Sequence, residues 1–475
     1  MARAARVTPL TALWAAIAAY CVGFAALSIL RHDAFATGRF DLGNMVQAVW
    51  STAHGHPLRV TGLAGSQVSR LGAHVDPVLV VFAPLWWLWP SPSLLLVAQA
   101  IAIALGALPV FWLARKHLGS ERAGVAFALA YLLYPATTWL TLNEFHPVAL
   151  ATPALLYAFW FLDEDRVGPF AVCAVIALLS KEEIGLVVAG FGVWYALARA
   201  RGRAGAAVAV AGVAWSAFAL AVVIPHFKGG GSPFERRYSE IGGSPSGVAH
   251  TALHDPGLLL QVAFDHAGVH YLIDLVLPLA ALCLLSPVAL IALPELALNL
   301  LSSTPSQSSI HFHYTAGEIA PLVAAAVLGG ARVRARWRLP VATLVVLAAL
   351  LGNYRLGAIP VWRALPGGET LQANAGTVST HDRIAARALK LVPDDAVVSA
   401  TNSLGAHLSA RRRVLSFPFI EDATWVAADE TQPGYADRIA PLPTAVQLAW
   451  LRRNPAWRLV FEEDGILVFR RALPP

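Results

Sequence analysis

Apolar stretches long enough to cross a bilayer recur along most of this chain, and that repetition limits what it can fold into more than any other feature. A hydrocarbon core about 30 Å thick takes roughly twenty apolar helical residues to cross. The first such run, about 8–30, is preceded only by Arg3 and Arg6. A secretory signal would carry a shorter core followed by a soluble chain; here more apolar sequence follows, so the run reads as a first transmembrane helix. Further runs lie at about 77–90 with 92–114, then 122–141, 147–162, 167–180, 184–198, 204–226, 271–285, 288–301, 315–331 and 339–354. Pro84 and Pro90 break the 77–90 run, which reads as re-entrant or half-buried. The expectation is an all-α polytopic membrane bundle of about eleven transmembrane helices over 1–355. With 57% hydrophobic and 13% charged residues, composition excludes a disordered chain, a coiled coil and an ordinary cytosolic enzyme. Cys21, Cys173 and Cys283 all lie in apolar runs and read as small buried hydrophobes, not as a disulfide or zinc-thiolate framework.

Basic clusters set the direction of the spans. Arg115, Lys116 and Arg122 share one short loop, and Arg199, Arg201 and Arg203 another. Arg332, Arg334, Arg336 and Arg338 share a third, and Arg166 lies in a fourth. With the N-terminus cytoplasmic, all four loops fall inside, as the positive-inside rule requires. Parity then places 31–76, 142–146, 181–183, 227–270, 302–314 and everything after about 355 outside. The outer loop 31–76 contains FDLGNMVQAVW, whose helical spacing predicts an amphipathic helix along the membrane surface. Charge density rises after 359, and 359–475 reads as a small extracytoplasmic α/β domain. It has a helix at 380–391, apolar runs at 396–400 and 414–419, a helix at 444–453, and a terminal hairpin around Asp464-Gly465.

The polar residues of the bundle gather on one side. Asp41, the HVDP element with His74 and Asp76, NEFHP with Glu144 and His146, KEE with Lys181, Glu182 and Glu183, and HFHY with His311 and His313 all map to outer loops. Glu295 lies within a span and can face the same cavity. Buried or rim-placed charges are costly in a membrane protein and point to function, although solvation or helix capping accounts for single carboxylates equally well. His311 and His313 share a face if the segment is extended. Carboxylates with imidazoles suit general base chemistry or Mg²⁺ or Mn²⁺, with Asp41, Asp76 and His146 as metal candidates. Lys181 suits a phosphate. No P-loop, dinucleotide fingerprint, HExxH or nucleophile elbow is found, and nothing indicates nucleic-acid binding.

As a set, FDLGNMVQAVW, HVDP, NEFHP, KEE and HFHY resemble the DUF2079 family of predicted bacterial membrane proteins, over about 30–420. That family is similar in layout to the GT-C superfamily of integral membrane glycosyltransferases, which carry an acidic residue in a long first outer loop. The resemblance implies transfer of a sugar from a polyprenyl-phosphate donor to an envelope, lipid, glycan or protein acceptor at the outer face of the plasma membrane. It implies catalytic roles for Asp41, Glu144 and His146, and substrate or phosphate contacts for His74, Asp76, Lys181, Glu182, His311 and His313. Many GT-C enzymes show a paired acid in the first loop; here Asp33 lies upstream, beside His32. Two other readings stay open: a transporter or flippase of a lipid-linked or anionic solute, and a non-catalytic membrane scaffold.

Overall fold

The structure is a computed structural model that describes residues 8–63, 65–230, 234–368, 377–438 and 443–472. Arg3 and Arg6 lie outside the described residues. Five described helices are long and apolar enough to cross a bilayer: α1 (Pro9–Asp33), Ser93–Leu118, Gly202–Lys228, His313–Ala331 and Ala335–Leu356. Two bent pairs, Glu121–Leu133 with Pro135–Leu142 and Pro256–Ala263 with His266–Leu279, bring the number to seven if each is one span. Pro135 causes the first bend, of 49°, since it has no N–H to continue the ladder. The other apolar runs form five short helices: Pro77–Leu88, Pro147–Asp163, Val167–Leu178, Ile184–Ala198 and Pro287–Leu300. The expected eleven crossings therefore require the last four of these to cross as well, although they are shorter than a bilayer ordinarily demands.

His313–Ala331 is the centre of the bundle, with 83% of its apolar window buried. Gly202–Lys228 and Ala335–Leu356 lie at the periphery, each 22% buried, and present Val210, Val222 and Leu351 outward. A second apolar cluster sits above the first. Leu42, Met45, Val46 and Val49 pack there against Leu79, Phe82, Trp86, Leu95 and Phe145. It contains α2 (Asn44–Ala53), the helix expected along the membrane surface. Instead α2 is enclosed: Met45 to Val49 are all buried, and the Gln47 amide donates to the carbonyls of Arg411 and Arg412. The segment leading into the C-terminal sheet covers the polar face that sequence assigned to water. A small antiparallel hairpin, β1 (Arg59–Thr61) and β2 (Gln67–Ser69), completes this outer layer.

The C-terminal part folds into a five-stranded sheet in the order β4-β3-β5-β7-β6. Its strands are β3 (Val398–Ala400), β4 (Val414–Ser416), β5 (Trp425–Asp429), β6 (Trp457–Glu463) and β7 (Ile466–Arg471). β4, β3 and β5 run parallel, and β7 and β6 add antiparallel. The hairpin between β6 and β7 turns at Asp464 and Gly465, both at positive φ (50° and 77°), the geometry that Asp-Gly supplies. Helix Thr380–Leu389 begins with a capping box between Ser379 and Asp382. Strand β5 was not anticipated, because its short run WVAAD shows little alternation.

Candidate active site

A cavity of about 170 Å³ opens where the outer loops converge. Phe40, Asp41, Met45, Arg70, His74, Asp76, His146, Pro147, Val148, Ser180, Lys181, Arg237, His313 and Tyr314 line it. Of the residues expected at the site, Asp41, His74, Asp76, His146, Lys181 and His313 meet here. Glu144, Glu182 and His311 do not line it, and the structure gives each another place.

Asp41 sits in a π-helical turn, Arg39–Gly43, between α1 and α2. Its side chain is 52% exposed, and the opening it faces is this cavity. His146 Nε2 lies 3.4 Å from Asp41 Oδ1, and His146 Nδ1 lies 2.7 Å from the Asn143 carbonyl. That carbonyl can only accept, so Nδ1 carries a proton. Enclosure pushes the Asp41 carboxyl up, but the His146 hydrogen bond and the charges of His146, Arg70 and His74 prevail and hold it below the usual carboxylate range. Asp41 is therefore ionised at neutral pH.

Glu144 turns away from the cavity. Its two oxygens accept the Gly38 N–H at 3.0 and 3.1 Å, and Oε2 also accepts the Leu42 N–H at 2.8 Å. It thus clasps the two ends of the Asp41 turn rather than facing a substrate. Burial and the neighbouring Asp41 push its carboxyl up to about 8, against the pull of those two amides and of Arg31. Glu144 holds a positive φ of 52°, a strained choice for a side chain of this kind. Gln99 enforces the bend: its amide donates to the carbonyls of Leu140, Thr141 and Glu144, and its oxygen accepts the His146 N–H.

Cationic groups line the same cavity. Lys181 is buried, bonded to Glu183 at 2.5 Å, and its ammonium lies 5.3 Å from the Tyr314 ring centre. Burial works against its charge, but Glu183 and Glu182 raise its pKa overall, so it stays a cation. Arg237 reaches the same ring from 5.9 Å and makes no ion pair among the described residues. Glu182 supports this lining, accepting from His74 Nδ1 at 2.8 Å and the Val75 N–H at 2.9 Å. Burial would raise its carboxyl, but His74 and Lys181 bring it down to about 2. Asp76 binds Arg70 through Oδ2 at 2.6 Å, while its Oδ1 has no hydrogen-bond partner among the described residues. Arg70 thus brings a positive charge to this spot, beside the Asp76 for which the resemblance implies a substrate or phosphate contact.

The two histidines of HFHY part company. His313 begins a 3₁₀ turn, so the extended alternation that would align them is absent. Its ring stacks on His146 at 3.7 Å, whereas His311 packs on Trp139 at 4.6 Å. Sequence reasoning missed Arg70, Arg237, Tyr314 and Phe40. Arg70 carried one signal, its place six residues before Asp76 in RLGAHVD; Arg237 carried none beyond its outer loop. Among the described residues, no three His, Cys, Asp or Glu side chains converge where they could hold one ion. Asp41, Asp76 and His146 therefore do not fit as ligands of a single Mg²⁺ or Mn²⁺, since Arg70 already engages Asp76.

Stacked apolar helices beneath a polar chamber define an integral membrane protein. The model of the family Predicted membrane protein (DUF2079) matches residues 31–468, and the chain belongs to that family. No curated protein matches the sequence. Among solved structures, ArnT from Cupriavidus metallidurans in the apo state aligns over 97% of this chain and 98% of its own, with a TM-score of 0.56 and 13% identity. The same protein bound to undecaprenyl phosphate aligns over 95% and 97%, with a TM-score of 0.54 and 12% identity. At such identity the likeness is one of fold, and it extends over nearly the whole chain.

Proposed function

We propose that this protein is a membrane glycosyltransferase of GT-C type, moving a sugar from a polyprenyl-phosphate donor to an envelope, lipid or glycan acceptor on the outer face. One observation carries the reading: the Asp41 carboxylate lines one chamber together with Lys181, Arg237 and the Arg70–Asp76 pair. A base and cations in one chamber suit a reaction that removes a proton and releases a phosphate. The fold shared with a protein crystallised with undecaprenyl phosphate supports the same donor class.

Asp41 takes the proton of the acceptor hydroxyl as that oxygen bonds to the anomeric carbon. The bond from that carbon to the lipid phosphate breaks, and its electron pair leaves with the phosphate. Arg237 and Lys181 hold the anion as it departs, and Arg70 adds charge from its place beside Asp76. Asp76 Oδ1, buried and unpaired among the described residues, suits a sugar hydroxyl donor. His146 keeps Asp41 ionised and His313 packs the imidazole in place. No step here runs through a metal ion. The N-terminus lies in the cytoplasm and the chamber and C-terminal sheet outside, in keeping with the basic loops.

The test is turnover by purified protein of a panel of polyprenyl-phosphate sugars, wild type against Asp41→Asn. Loss of a general base is expected to cut kcat by about 10²-fold or more with the donor still bound. Turnover of no donor, alongside uptake of an anionic solute into liposomes, would instead identify a transporter.

A further inference from the structure

The Asp41 turn is held from outside the membrane bundle. Arg39 is two residues from Asp41 and 1% exposed, and each of its three guanidinium nitrogens donates to an acceptor outside the cavity lining. Nε donates to the Val414 carbonyl at 2.9 Å, Nη1 to Ser416 Oγ at 2.7 Å, and Nη2 to the Thr61 carbonyl at 2.8 Å. Two of those acceptors are on β4, the edge strand of the C-terminal sheet, more than 370 residues along the chain. The fit around the turn is close. A Cβ on Gly43 would come within 2.6 Å of Ser409 Oγ and 3.3 Å of Ala406 Cα, and one on Gly405 within 3.0 Å of Arg39 Cβ. The Phe40 N–H also faces Asn402 Oδ1 at 3.4 Å.

A buried arginine with no carboxylate partner among the described residues is an expensive way to build a core, since its charge has left water. Here the fork geometry of the guanidinium ties three acceptors on two elements to one short turn, which a lysine cannot do. We infer that Arg39 is a positioning residue for Asp41, and that the C-terminal sheet acts in catalysis by fixing this turn through Arg39 while touching no reacting atom itself. This inference rests on Asp41 being the base of the proposed reaction. It assigns the sheet a role separate from any acceptor binding.

The test uses the full chain in detergent, comparing wild type, Arg39→Lys and Ser416→Ala. Lys keeps the charge but loses the fork; the alanine removes one acceptor at a distance from the cavity. Each is read by thermal unfolding, by hydrogen exchange of the amides of 38–43, and by kcat and KM for the donor. A base displaced by even 1 Å costs up to about 10²-fold. The expected result for Arg39→Lys is therefore at least tenfold lower kcat, donor KM within twofold, and at least tenfold faster exchange at 38–43, with exchange in the spans unchanged. Ser416→Ala moves kcat and exchange the same way by a smaller factor. A variant that melts earlier but keeps both its kcat and its exchange at 38–43 would reduce Arg39 to a structural bolt and overturn the inference. If wild type turns over no donor, the sugar-transfer reading fails by itself. The exchange result then decides whether Arg39 orders the turn.

Discussion

Two carboxylates, Asp41 and Glu144, sit on the two sides of one turn in opposite states, and the difference lies in what surrounds each. Asp41 has the His146 hydrogen bond and the influence of His146, Arg70 and His74 in its favour, which outweigh its enclosure. Glu144 has burial and Asp41 against its charge, with only backbone N–H groups and Arg31 in its favour. Such separation of neighbouring acids is a mark of functional sites. It gives Glu144 a pH signature. Its folded-state value of about 8 lies above the ordinary 4.5, so the folded protein holds this proton more tightly than the unfolded chain. Its contribution to stability is complete below pH ~4.5 and is lost as pH rises toward ~8. In Glu144→Gln that contribution no longer titrates. Thermal unfolding in detergent at pH 5 and pH 8 should show a smaller fall for the variant than for wild type, by a few degrees. An equal fall in both would mean that Glu144 is ionised throughout. The residue types at the site were legible, because acids and imidazoles stand out in apolar sequence. Their roles were not, since nothing in NEFHP tells which way the Glu144 carboxylate points.

At the level of elements, the apolar runs gave the helices, and proline and glycine decided how they join and pack. Helices Ile184–Ala198 and Gly202–Phe218 form a hairpin in direct backbone contact. A Cβ on Gly192 would come within 2.4 Å of Ala209 N, and one on Gly185 within 2.3 Å of the Gly212 carbonyl. In lipid, where apolar burial gives helices little reason to associate, this close approach supplies the attraction. Both Gly185 to Gly192 and Gly205 to Gly212 are seven residues apart, two helical turns, so each pair faces the partner helix. Overpacking a tight contact costs roughly 1–3 kcal/mol or more. Gly192→Val should lower the melting temperature clearly, whereas valine at the open Gly168, where a Cβ would meet nothing within 4 Å, should leave it nearly unchanged. Lys181 and Glu182 immediately precede this hairpin, so Gly192→Val should also raise the donor KM. Equal melting of the two variants would show that the hairpin does not depend on contact at these glycines. This packing was not anticipated from the spacing of the glycines, and the crossings could not be counted from run length alone, since several helices are shorter than the bilayer.

On the scale of the whole molecule, the separation of its two ends is what makes the site coherent. Gln99, near the start of Ser93–Leu118, ties down the His146 bend; Lys116, near its end, pairs with Asp163 at 2.7 Å. Seventeen residues of helix rise about 26 Å, close to the thickness of a hydrocarbon core. The Asp41 turn, the HVDP element and β4 share the first end, and the Asp163 and Asp165 ion pairs with Lys116 and Arg201 share the second. Sequence placed these groups by parity and by basic loops. It could not show that the C-terminal sheet rests on the Asp41 turn, because residues that meet there are separated by most of the chain. Impermeant thiol labelling tests the arrangement directly. After Cys21, Cys173 and Cys283 are replaced by alanine, single cysteines go in at Ser66, Glu430 and Arg203, all exposed. In intact cells stripped of their outer layers, Ser66→Cys and Glu430→Cys should react with a membrane-impermeant maleimide, and Arg203→Cys only after lysis. Reaction of Arg203→Cys alone would invert the orientation yet keep the chamber and the sheet on one face. Opposite behaviour of Ser66→Cys and Glu430→Cys would separate the sheet from the Asp41 turn, and with it both the site and the role assigned to Arg39.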